Sequence, residues 1–295
     1  MAPTRGTIAI TGASGLLGRH LVEHFRRREW NVRALVRDPS RNPFVERDIE
    51  VFRADLPDAI DERAFKGADV MIHAAYATAE SSADTAKRVN EDVTARVLAA
   101  SRAAGVRRFI FVSSLAAHRD ARSYYGRSKL ALEKQLDTTR DLIIRPGLVL
   151  APSGGLFERM RRTIEKSPVI PLVGRGSQIL QTVHIDDLCT GFERAIELDL
   201  TGELNIAEPE GITMRSFIEL IARRLNHRVR FLPVPPLPIL AVAGILERLP
   251  LPTPVTSENV RGLIAMRYTP TSVDIARLGI KVRSARESIA DLIPA

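Results

Sequence analysis

The sequence of 295 residues is poor in cysteine, with Cys189 as its only one. One cysteine excludes a disulfide framework and a cysteine-rich metal site, and it fits a reducing compartment, so we expect a cytoplasmic protein with Cys189 buried. His73, His118 and His184 lack the spacing to a second ligand that would predict a metal site, and we predict none. We expect structural roles for His73 and His184 and leave that of His118 open.

Long apolar runs and long basic runs are also lacking. The longest apolar stretch, residues 231–246, has four prolines in its first half, and its uninterrupted part, residues 239–246, is too short to span a bilayer. The first residues lack the basic and apolar regions of a signal peptide. The net charge is +8, but the arginines are dispersed among acids. We therefore expect neither an integral membrane segment nor nucleic-acid binding.

Strand and helix patterns alternate through the first half of the chain. The strand patterns cover residues 7–11, 31–36, 69–75, 107–114 and 141–147. The helix patterns between them include residues 19–30, 85–105 and about 125–137. Repeated β-α-β units predict an α/β protein with a Rossmann-type, doubly wound parallel sheet. We predict a dinucleotide-binding domain over residues 1–150 with a return segment at about 180–207, and a smaller, partly interleaved substrate domain over residues 151–179 and 208–295.

The stretch "TGASGLLG" places three glycines between the first strand and the first helix. Glycine permits a positive φ and a close approach of the backbone to a phosphate, and the helix N-terminus offers free N–H groups to a pyrophosphate. The alternative is a tight turn with no ligand. We predict cofactor contacts from the residues of this loop, namely Gly12, Ser14, Gly15, Leu16, Leu17 and Gly18.

The second strand ends at Val36 and is followed by Arg37. Dinucleotide folds usually carry an acid at this tip, which holds the ribose 2′-OH and would repel a 2′-phosphate, whereas an arginine can bind that phosphate. Arg37 therefore favours NADP(H) over NAD(H), with a merely solvated Arg37 as the alternative. We interpret Asp38, in "DPS", as a turn residue.

Tyr125 and Lys129 lie four residues apart in "SYYGRSK", one helical turn from each other. A carbonyl that accepts a hydride also needs a proton, which a tyrosine hydroxyl can supply if its pKa falls toward neutrality. An ammonium one turn away would stabilise the phenolate and lower that pKa. The stretch "FVSS" ends at Ser114, eleven residues before the tyrosine.

Together these motifs resemble the short-chain dehydrogenase/reductase superfamily, in its extended or atypical epimerase/dehydratase-like branch. The matching stretches are "TGASGLLG", "ADL" (54–56), "HAA" (73–75), "VN" (89–90), "FVSS", "YGRSK", "RPG" and "VHIDDL". The resemblance implies that Ser114 holds the substrate oxygen, that Tyr125 and Lys129 are catalytic and contact the cofactor, and that Asn90 orders a water behind Lys129. It also implies cofactor contacts from Asp55, Leu56, Ala74, Ala75 and Pro146.

The sequence departs from the sugar-nucleotide members of this branch at two phosphate-facing positions. Leu148 stands where they usually carry an asparagine, and Leu180 aligns with their arginine. These departures argue against a sugar-nucleotide substrate and favour the dihydroflavonol reductase and 3β-hydroxysteroid dehydrogenase side of the family. We therefore predict an NADP(H)-dependent oxidoreductase that acts on a ketone or secondary alcohol of a small, lipophilic substrate. The alternatives are a sugar-nucleotide epimerase or dehydratase and a non-catalytic cofactor-binding scaffold.

The long helix pattern over residues 85–104 also bears on assembly. It has one stripe formed by Val89, Val93, Val97, Ala100 and Ala104, and small residues on the other side at Ala86, Ala95, Ala99 and Ala103. Two such helices per subunit would pair in a homodimer, whereas in a monomer the alanines would simply lie on a solvated helix face. The sequence leaves both alternatives open.

Overall fold

The computed structural model describes residues 5–41, 44, 49–56, 58–76, 83–236, 238–240, 244, 247 and 256–294, with no side-chain description for residues 83–89. Its strands are β1 Thr7–Thr11, β2 Asn31–Val36, β3 Glu50–Asp55, β4 Ala59–Ile60, β5 Val70–His73, β6 Arg108–Val112, β7 Leu142–Pro146, β8 Leu148–Leu150, β9 Val169–Val173, β10 Ile179–Leu180, β11 Thr182–His184, β12 Gly202–Ile206, β13 Ile212–Thr213 and β14 Arg230–Val234. Its helices are α1 Leu16–Arg27, α2 Ala83–Ala103, α3 Tyr124–Glu133, α4 Gly155–Lys166, α5 Ile185–Glu197, α6 Met214–Arg224, α7 Ser257–Ile264, α8 Ser272–Leu278 and α9 Ala285–Leu292. Short 3-10 helices cover Pro39–Arg41 and Glu62–Phe65.

The main sheet has eight strands in the order β12-β7-β6-β5-β1-β2-β3-β4. From β3 through β7 the neighbouring strands pair in parallel, and the short β4 is antiparallel to β3. This architecture confirms the predicted Rossmann-type α/β fold. Successive strands are added on one side of β1 and then, from β5, on the other. That change of direction defines the topological switch point, where doubly wound sheets bind ligands beyond the carboxyl ends of their strands.

The chain forms two compact units. The first contains residues up to Ser113 together with Ala131–Arg145 and Cys189–Leu204, and the second contains Ser114–Leu130, Pro146–Leu188 and the residues from Asn205 onward. Buried aromatic and aliphatic side chains such as Phe65, Met71 and Phe111 form the core of the first unit. The second unit has its own core around Phe157, Phe217 and Ile221. The predicted domains were defined by the ligands they would bind, and their boundaries stay a prediction.

Several element boundaries differ from those predicted. Helix α1 begins at Leu16, directly after the glycine loop, which confirms the predicted helix N-terminus there, and it ends at Arg27, before the end of the 19–30 pattern. Helix α3 ends at Glu133 instead of residue 137, because the backbone turns through a bond from the Gln135 N–H to the Leu132 carbonyl. Gly105 follows α2 with a φ of +77°, the left-handed conformation expected of a glycine that ends a helix.

Within the described ranges, no helix combines the length and the apolar character that crossing a membrane requires. The apolar stretch 239–246 lies largely outside the described residues.

Candidate functional site

The glycine loop is built from backbone that tolerates no added side chain. Gly12 has a φ of +65°, and a Cβ on it would lie 2.8 Å from the backbone of Ala75. A Cβ on Gly18 would overlap the carbonyl oxygen of Gly12, so α1 can start this close to the strand only with a glycine there. Gly15 is the N-cap of α1, and no side chain caps the helix. The first N–H groups of α1 therefore face the loop, as a pyrophosphate requires.

The segment after β5 packs against this loop. Thr11, at the end of β1, hydrogen-bonds through Oγ1 to Nδ1 of His73 at 2.7 Å, and His73 Nε2 lies 3.1 Å from Thr94 Oγ1 on α2. The N–H of Ala75 reaches the same Thr11 oxygen at 3.4 Å. His73 is 1% exposed and thus ties β1, β5 and α2 together, which confirms its predicted structural role. Ala74 and Ala75 consequently line the switch point between β1 and β5.

The end of β2 carries an exposed arginine. Among the described residues Arg37 forms no ion pair, so its guanidinium stays available for a ligand. Asp38 accepts hydrogen bonds from the Ser40 N–H at 3.0 Å and from its hydroxyl at 2.7 Å, and these bonds lower the pKa of the Asp38 carboxyl. This geometry confirms Asp38 as a turn residue. On the adjacent β3, Asp55 pairs with Arg53 at 3.1 Å, and the partly buried Leu56 packs against the core of the unit.

These features fit a dinucleotide. Glycine at positions 12 and 18 lets the loop pack directly against Ala75 and against the start of α1, and the uncapped α1 offers N–H donors at this loop. Ser14 and Gly15 are exposed at the loop, and Leu16 and Leu17 are partly buried in the first turn of the helix. A bound nicotinamide dinucleotide would be held at its pyrophosphate by this loop. The individual contacts stay a prediction.

The structure brings Ser114 and Tyr125 together in the second unit. Their side chains form a hydrogen bond, and the Ser114 hydroxyl also accepts the N–H of Ala116 at 3.2 Å. Desolvation raises the pKa of the Tyr125 phenol above its ordinary value, and the bond from Ser114 lowers it in part. Tyr125 as a whole keeps 38% of its surface exposed, so this desolvation acts at the hydroxyl end. The expectation of a lowered pKa is thus wrong for the protein alone, because burial outweighs the neighbouring groups.

Lys129 lies one turn further along α3 and is 3% exposed. A buried ammonium is costly unless polar groups surround it, so its place on the helix that carries Tyr125 indicates a specific use for its charge. Asn90 lies on α2 in the first unit and is 4% exposed. Pro146 is buried at the end of β7. The water relay between Asn90 and Lys129 stays a prediction.

A buried charged network in the first unit was not predicted. Ser113 donates its hydroxyl hydrogen bond to Glu133, the last residue of α3. Glu133 also receives two hydrogen bonds from Arg145 on β7, the Nε one at 2.8 Å, and Arg145 reaches Glu203 at 2.6 Å. These bonds raise the pKa of Arg145. With its hydroxyl bound to Glu133, Ser113 is engaged away from Tyr125, which leaves Ser114 as the serine at the tyrosine.

Two further glycines were overlooked as structural determinants. A Cβ on Gly126 would overlap the carbonyl oxygen of Ala116, so α3 can approach the loop after Ser114 only because residue 126 has no side chain. A Cβ on Gly147 would likewise overlap the Gln181 carbonyl oxygen, where β8 leaves β7. The only signal in the sequence is the position of each glycine inside a motif, next to Tyr125 and Pro146.

His118 lies in the loop between Ser114 and Tyr125 and is 6% exposed. Burial lowers the pKa of His118 most, and the positive charge of Arg267 lowers it further. The negative charge of Asp120 acts in the opposite direction. Its ring hydrogen-bonds the Ala265 backbone, and its Nδ1 has no partner within the described residues. The neutral ring therefore links this loop to the segment that follows α7.

His184 is 2% exposed on β11, where its Nδ1 accepts the N–H of Asp186 at 3.2 Å. Its burial at the start of α5 agrees with a structural role, which stays a prediction. Across the described part of the chain, no three His, Cys, Asp or Glu side chains are grouped to hold a metal ion. Cys189 is buried on α5, as predicted.

The fold and the glycine loop define a dinucleotide-binding protein of the short-chain dehydrogenase/reductase type. The model of the NAD dependent epimerase/dehydratase family matches residues 8–207, more than half of the chain. The chain belongs to this family, which confirms the resemblance read from its motifs.

One relative is the ceramide reductase of Caulobacter vibrioides (strain NA1000 / CB15N), which is 34% identical over 288 residues, spanning 92% of this chain and 88% of the relative. Among solved structures, MoeE5 in complex with UDP-glucuronic acid and NAD has a TM-score of 0.76 at 20% identity over 97% of both chains. Human epimerase family protein SDR39U1 (isoform2) with NADPH has a TM-score of 0.73 at 17% identity, covering 97% of this chain and 99% of that one. At these identities the two structures show a shared fold alone.

The family and its reductase relatives confirm the predicted enzyme class, an NAD(P)-dependent oxidoreductase of the short-chain dehydrogenase/reductase type. The family also supports a nicotinamide cofactor.

Proposed function

We propose that this enzyme uses NADP(H) to interconvert a ketone and a secondary alcohol on a lipophilic substrate. The observation that carries the proposal is the hydrogen bond between Ser114 and Tyr125, with the buried Lys129 one turn further along the same helix. This is the arrangement that carbonyl reduction needs, because it joins a hydroxyl that can position the carbonyl oxygen to a hydroxyl that can protonate it.

Each side chain has a distinct task. Ser114 donates a hydrogen bond to the carbonyl oxygen and orients it toward Tyr125. Tyr125 then donates its proton to that oxygen as negative charge develops there, and the ammonium of Lys129 stabilises the phenolate left behind. The raised pKa of Tyr125 keeps the phenol protonated at neutral pH, ready to act as the acid in the reductive direction. When bound, the nicotinamide supplies or accepts the hydride.

The preference for NADP(H) rests on Arg37. Its guanidinium lies exposed after the buried, apolar Val36, and the carboxylate of Asp38 is occupied by Ser40. A 2′-phosphate would meet an available arginine and an acid that is already engaged in a turn. A ribose without that phosphate would lose this charge-assisted contact.

The proposed lipophilic substrate rests on the apolar side chains at two positions. Leu180 is 5% exposed in the core of the second unit, and Leu148 packs against that core. Neither supplies a charge or a hydrogen bond for a sugar-nucleotide phosphate. The relative named as a ceramide reductase supports a lipid ketone as the substrate class.

The test is a carbonyl panel monitored by NADPH absorbance. The panel would contain a long-chain lipid ketone of the ceramide type, a steroid ketone and a 4-keto sugar nucleotide, with Tyr125→Phe as the inactive control. We expect net NADPH oxidation with a lipophilic ketone. Epimerisation of UDP-glucose without net cofactor consumption would instead support the alternative, a sugar-nucleotide epimerase, since epimerisation returns the hydride to its substrate.

Assembly and location belong to the proposal as well. On α2, Val93, Val97 and Ala100 are buried within the chain, whereas Ala95 and Ala99 are exposed. The side chains of Ala86 and Val89 lie outside the described ones. A homodimer through the exposed alanine side and a cytoplasmic location both stay predictions.

A further inference from the structure

A surface of the second unit concentrates arginines in two adjoining grooves. The larger groove, of about 600 Å³, runs between α6 and β14. The smaller one, of about 370 Å³, lies between α6 and α9 and shares Arg223 with the first. We use the name arginine face for the five residues Arg223, Arg224, Arg228, Arg230 and Arg286, which line these grooves.

The arginine face has no acidic partner among the described residues. In the larger groove the acid is Glu219, and it is taken up by Arg215, whose Nε lies 3.1 Å away. Arg215 also stacks over the Phe231 ring, 4.6 Å from its centroid. By contrast, none of the five residues of the arginine face forms an ion pair with any described part of the chain. Four of them are exposed, and Arg224 is partly exposed. Their positive charge is therefore presented to solvent without compensation.

An apolar stripe adjoins one member of the arginine face, Arg230. Strands β14 and β9 pair in parallel, with Arg230 opposite Val169 and Leu232 opposite Pro171. Residues two apart on a strand share one face, so Val169, Pro171 and Leu232 lie on the same side of the two-stranded sheet as Arg230. Val169 is 45% exposed and Leu232 is 55% exposed. We call these three residues the apolar stripe.

Helix stabilisation explains only part of the arginine face. Arg223 and Arg224 lie in the last turn of α6, where a cation interacts favourably with the helix dipole. Arg228 and Arg230 lie beyond the end of that helix. Arg286 is the second residue of α9, at the end where the dipole disfavours a cation. For Arg228, Arg230 and Arg286 the helix dipole therefore gives no reason for a positive charge.

We propose that the arginine face and the apolar stripe form a docking surface for an anionic lipid bilayer. Guanidinium groups pair bidentately with lipid phosphates, and their positive charge matches the negative surface of such a bilayer. Exposed aliphatic side chains beside them can enter the boundary between headgroups and acyl chains. The stripe contains no aromatic ring, so a single-stranded nucleic acid would find no stacking platform there. The inference adds to the proposed function and does not depend on it.

The test is co-sedimentation of the full-length protein with lipid vesicles. We expect it to bind vesicles made of equal parts phosphatidylglycerol and phosphatidylcholine, to bind phosphatidylcholine alone weakly, and to be released by salt. Arg223→Glu with Arg228→Glu should lower the partition coefficient more than about tenfold. The matched control is Arg107→Glu with Arg140→Glu, two exposed arginines of the first unit. It lowers the net charge equally and should change partitioning by about twofold at most.

Two single variants exclude indirect effects. Arg286→Glu places an acid in the first turn of α9, where the dipole favours it, so we expect weaker vesicle binding with an unchanged melting temperature. Leu232→Ser should weaken binding while leaving its salt dependence unchanged, since it alters only the apolar stripe. NADPH binding by all variants should match that of the wild type.

Three results would overturn the proposal. The first is no preference for phosphatidylglycerol, and the second is an equal loss in the two double variants, which would reduce the effect to net charge. The third is that a short single-stranded RNA binds as tightly as the vesicles and that this binding is lost in the double variant Arg223→Glu with Arg228→Glu. That result would assign the arginine face to nucleic acid. None of these three results would change the expected outcome of the carbonyl panel, so the two proposals are tested independently.

Discussion

The glycine loop and the Ser114–Tyr125 pair are constructed in opposite ways. The proposed cofactor contacts of the loop come from its backbone, whose shape depends on the absence of side chains at Gly12 and Gly18. The proposed catalytic groups of the pair are side-chain oxygens, which α3 and the loop after Ser114 hold together. A single added methyl group should therefore disrupt the loop and weaken its binding of the cofactor. Removal of a single oxygen atom from the pair should instead abolish most of the turnover. Gly126 combines both kinds of construction. The absence of a side chain at this position lets α3, which carries Tyr125, approach the loop after Ser114.

The largest effect should come from Tyr125→Phe, which removes one oxygen atom and with it the proton donor. We expect kcat to fall by roughly 10²–10⁴ while NADPH affinity and the melting temperature stay close to wild type. The matched control is Tyr124→Phe, because the Tyr124 hydroxyl has no hydrogen-bond partner among the described residues. Near-native turnover in Tyr125→Phe would show that the proton comes from another group.

Arg37→Ala should change cofactor choice without changing the loop. Losing one charge-assisted contact to the 2′-phosphate should weaken NADPH binding by about 1.5–3 kcal/mol and leave NADH binding unchanged. Titrating both cofactors by fluorescence measures this, with Arg107→Ala as a control for the loss of an exposed arginine. If wild-type protein binds NADH and NADPH equally, the assignment of Arg37 is wrong.

Gly18→Ala adds one methyl group to the glycine loop. Because that methyl overlaps the Gly12 carbonyl oxygen, we expect the free energy of unfolding to fall by about 1–3 kcal/mol and NADPH affinity to fall with it. In Gly262→Ala, also in a helix, the new methyl meets nothing closer than 3.8 Å and should be neutral or stabilising by up to about 1 kcal/mol. Equal melting temperatures for the two variants would contradict a tightly packed loop.

The smallest effect concerns pH. Burial lowers the pKa of His118 below its ordinary value of 6.5, so the folded protein binds this proton less readily than the unfolded chain. The stability contributed by neutral His118 is therefore fully present above pH 6.5 and is lost as the pH falls through the folded pKa. His118→Gln should flatten the melting temperature between neutral and mildly acidic pH. If the melting temperature of this variant falls with decreasing pH as steeply as that of the wild type, other groups cause the pH dependence.

The strongly periodic elements of the first unit could be predicted from the sequence, whereas its edges could not. Short apolar runs in the sequence predict strands β1 and β2. A long helical pattern that ends at Gly105 predicts α2. Strands β3 and β12, "EVFRAD" and "GELNI", lie at or next to the two edges of the main sheet. They mix polar and apolar residues, and their strand conformation depends on pairing with neighbouring strands.

For the candidate site, motif spacing predicted the residue types, but it did not predict the contacts that hold them. The hydrogen bonds of Glu133 to Ser113 and Arg145 join residues 20 and 12 positions apart. No local pattern encodes such contacts, because they form only once α3 packs beside β6 and β7. The raised pKa of Tyr125 was missed for a similar reason, since desolvation depends on the whole surrounding structure.

The alternation of the chain between its two units has a consequence for biosynthesis. The polypeptide passes from one unit to the other at residues 113/114, 130/131, 145/146, 188/189 and 204/205. One edge strand of the main sheet, β12, therefore leaves the ribosome after all the other strands of that sheet. Neither unit can be obtained as one uninterrupted stretch of gene, and a nascent chain halted before residue 202 exposes an unpaired edge at β7. Fusion partners are therefore best attached at the chain ends, where they interrupt neither unit.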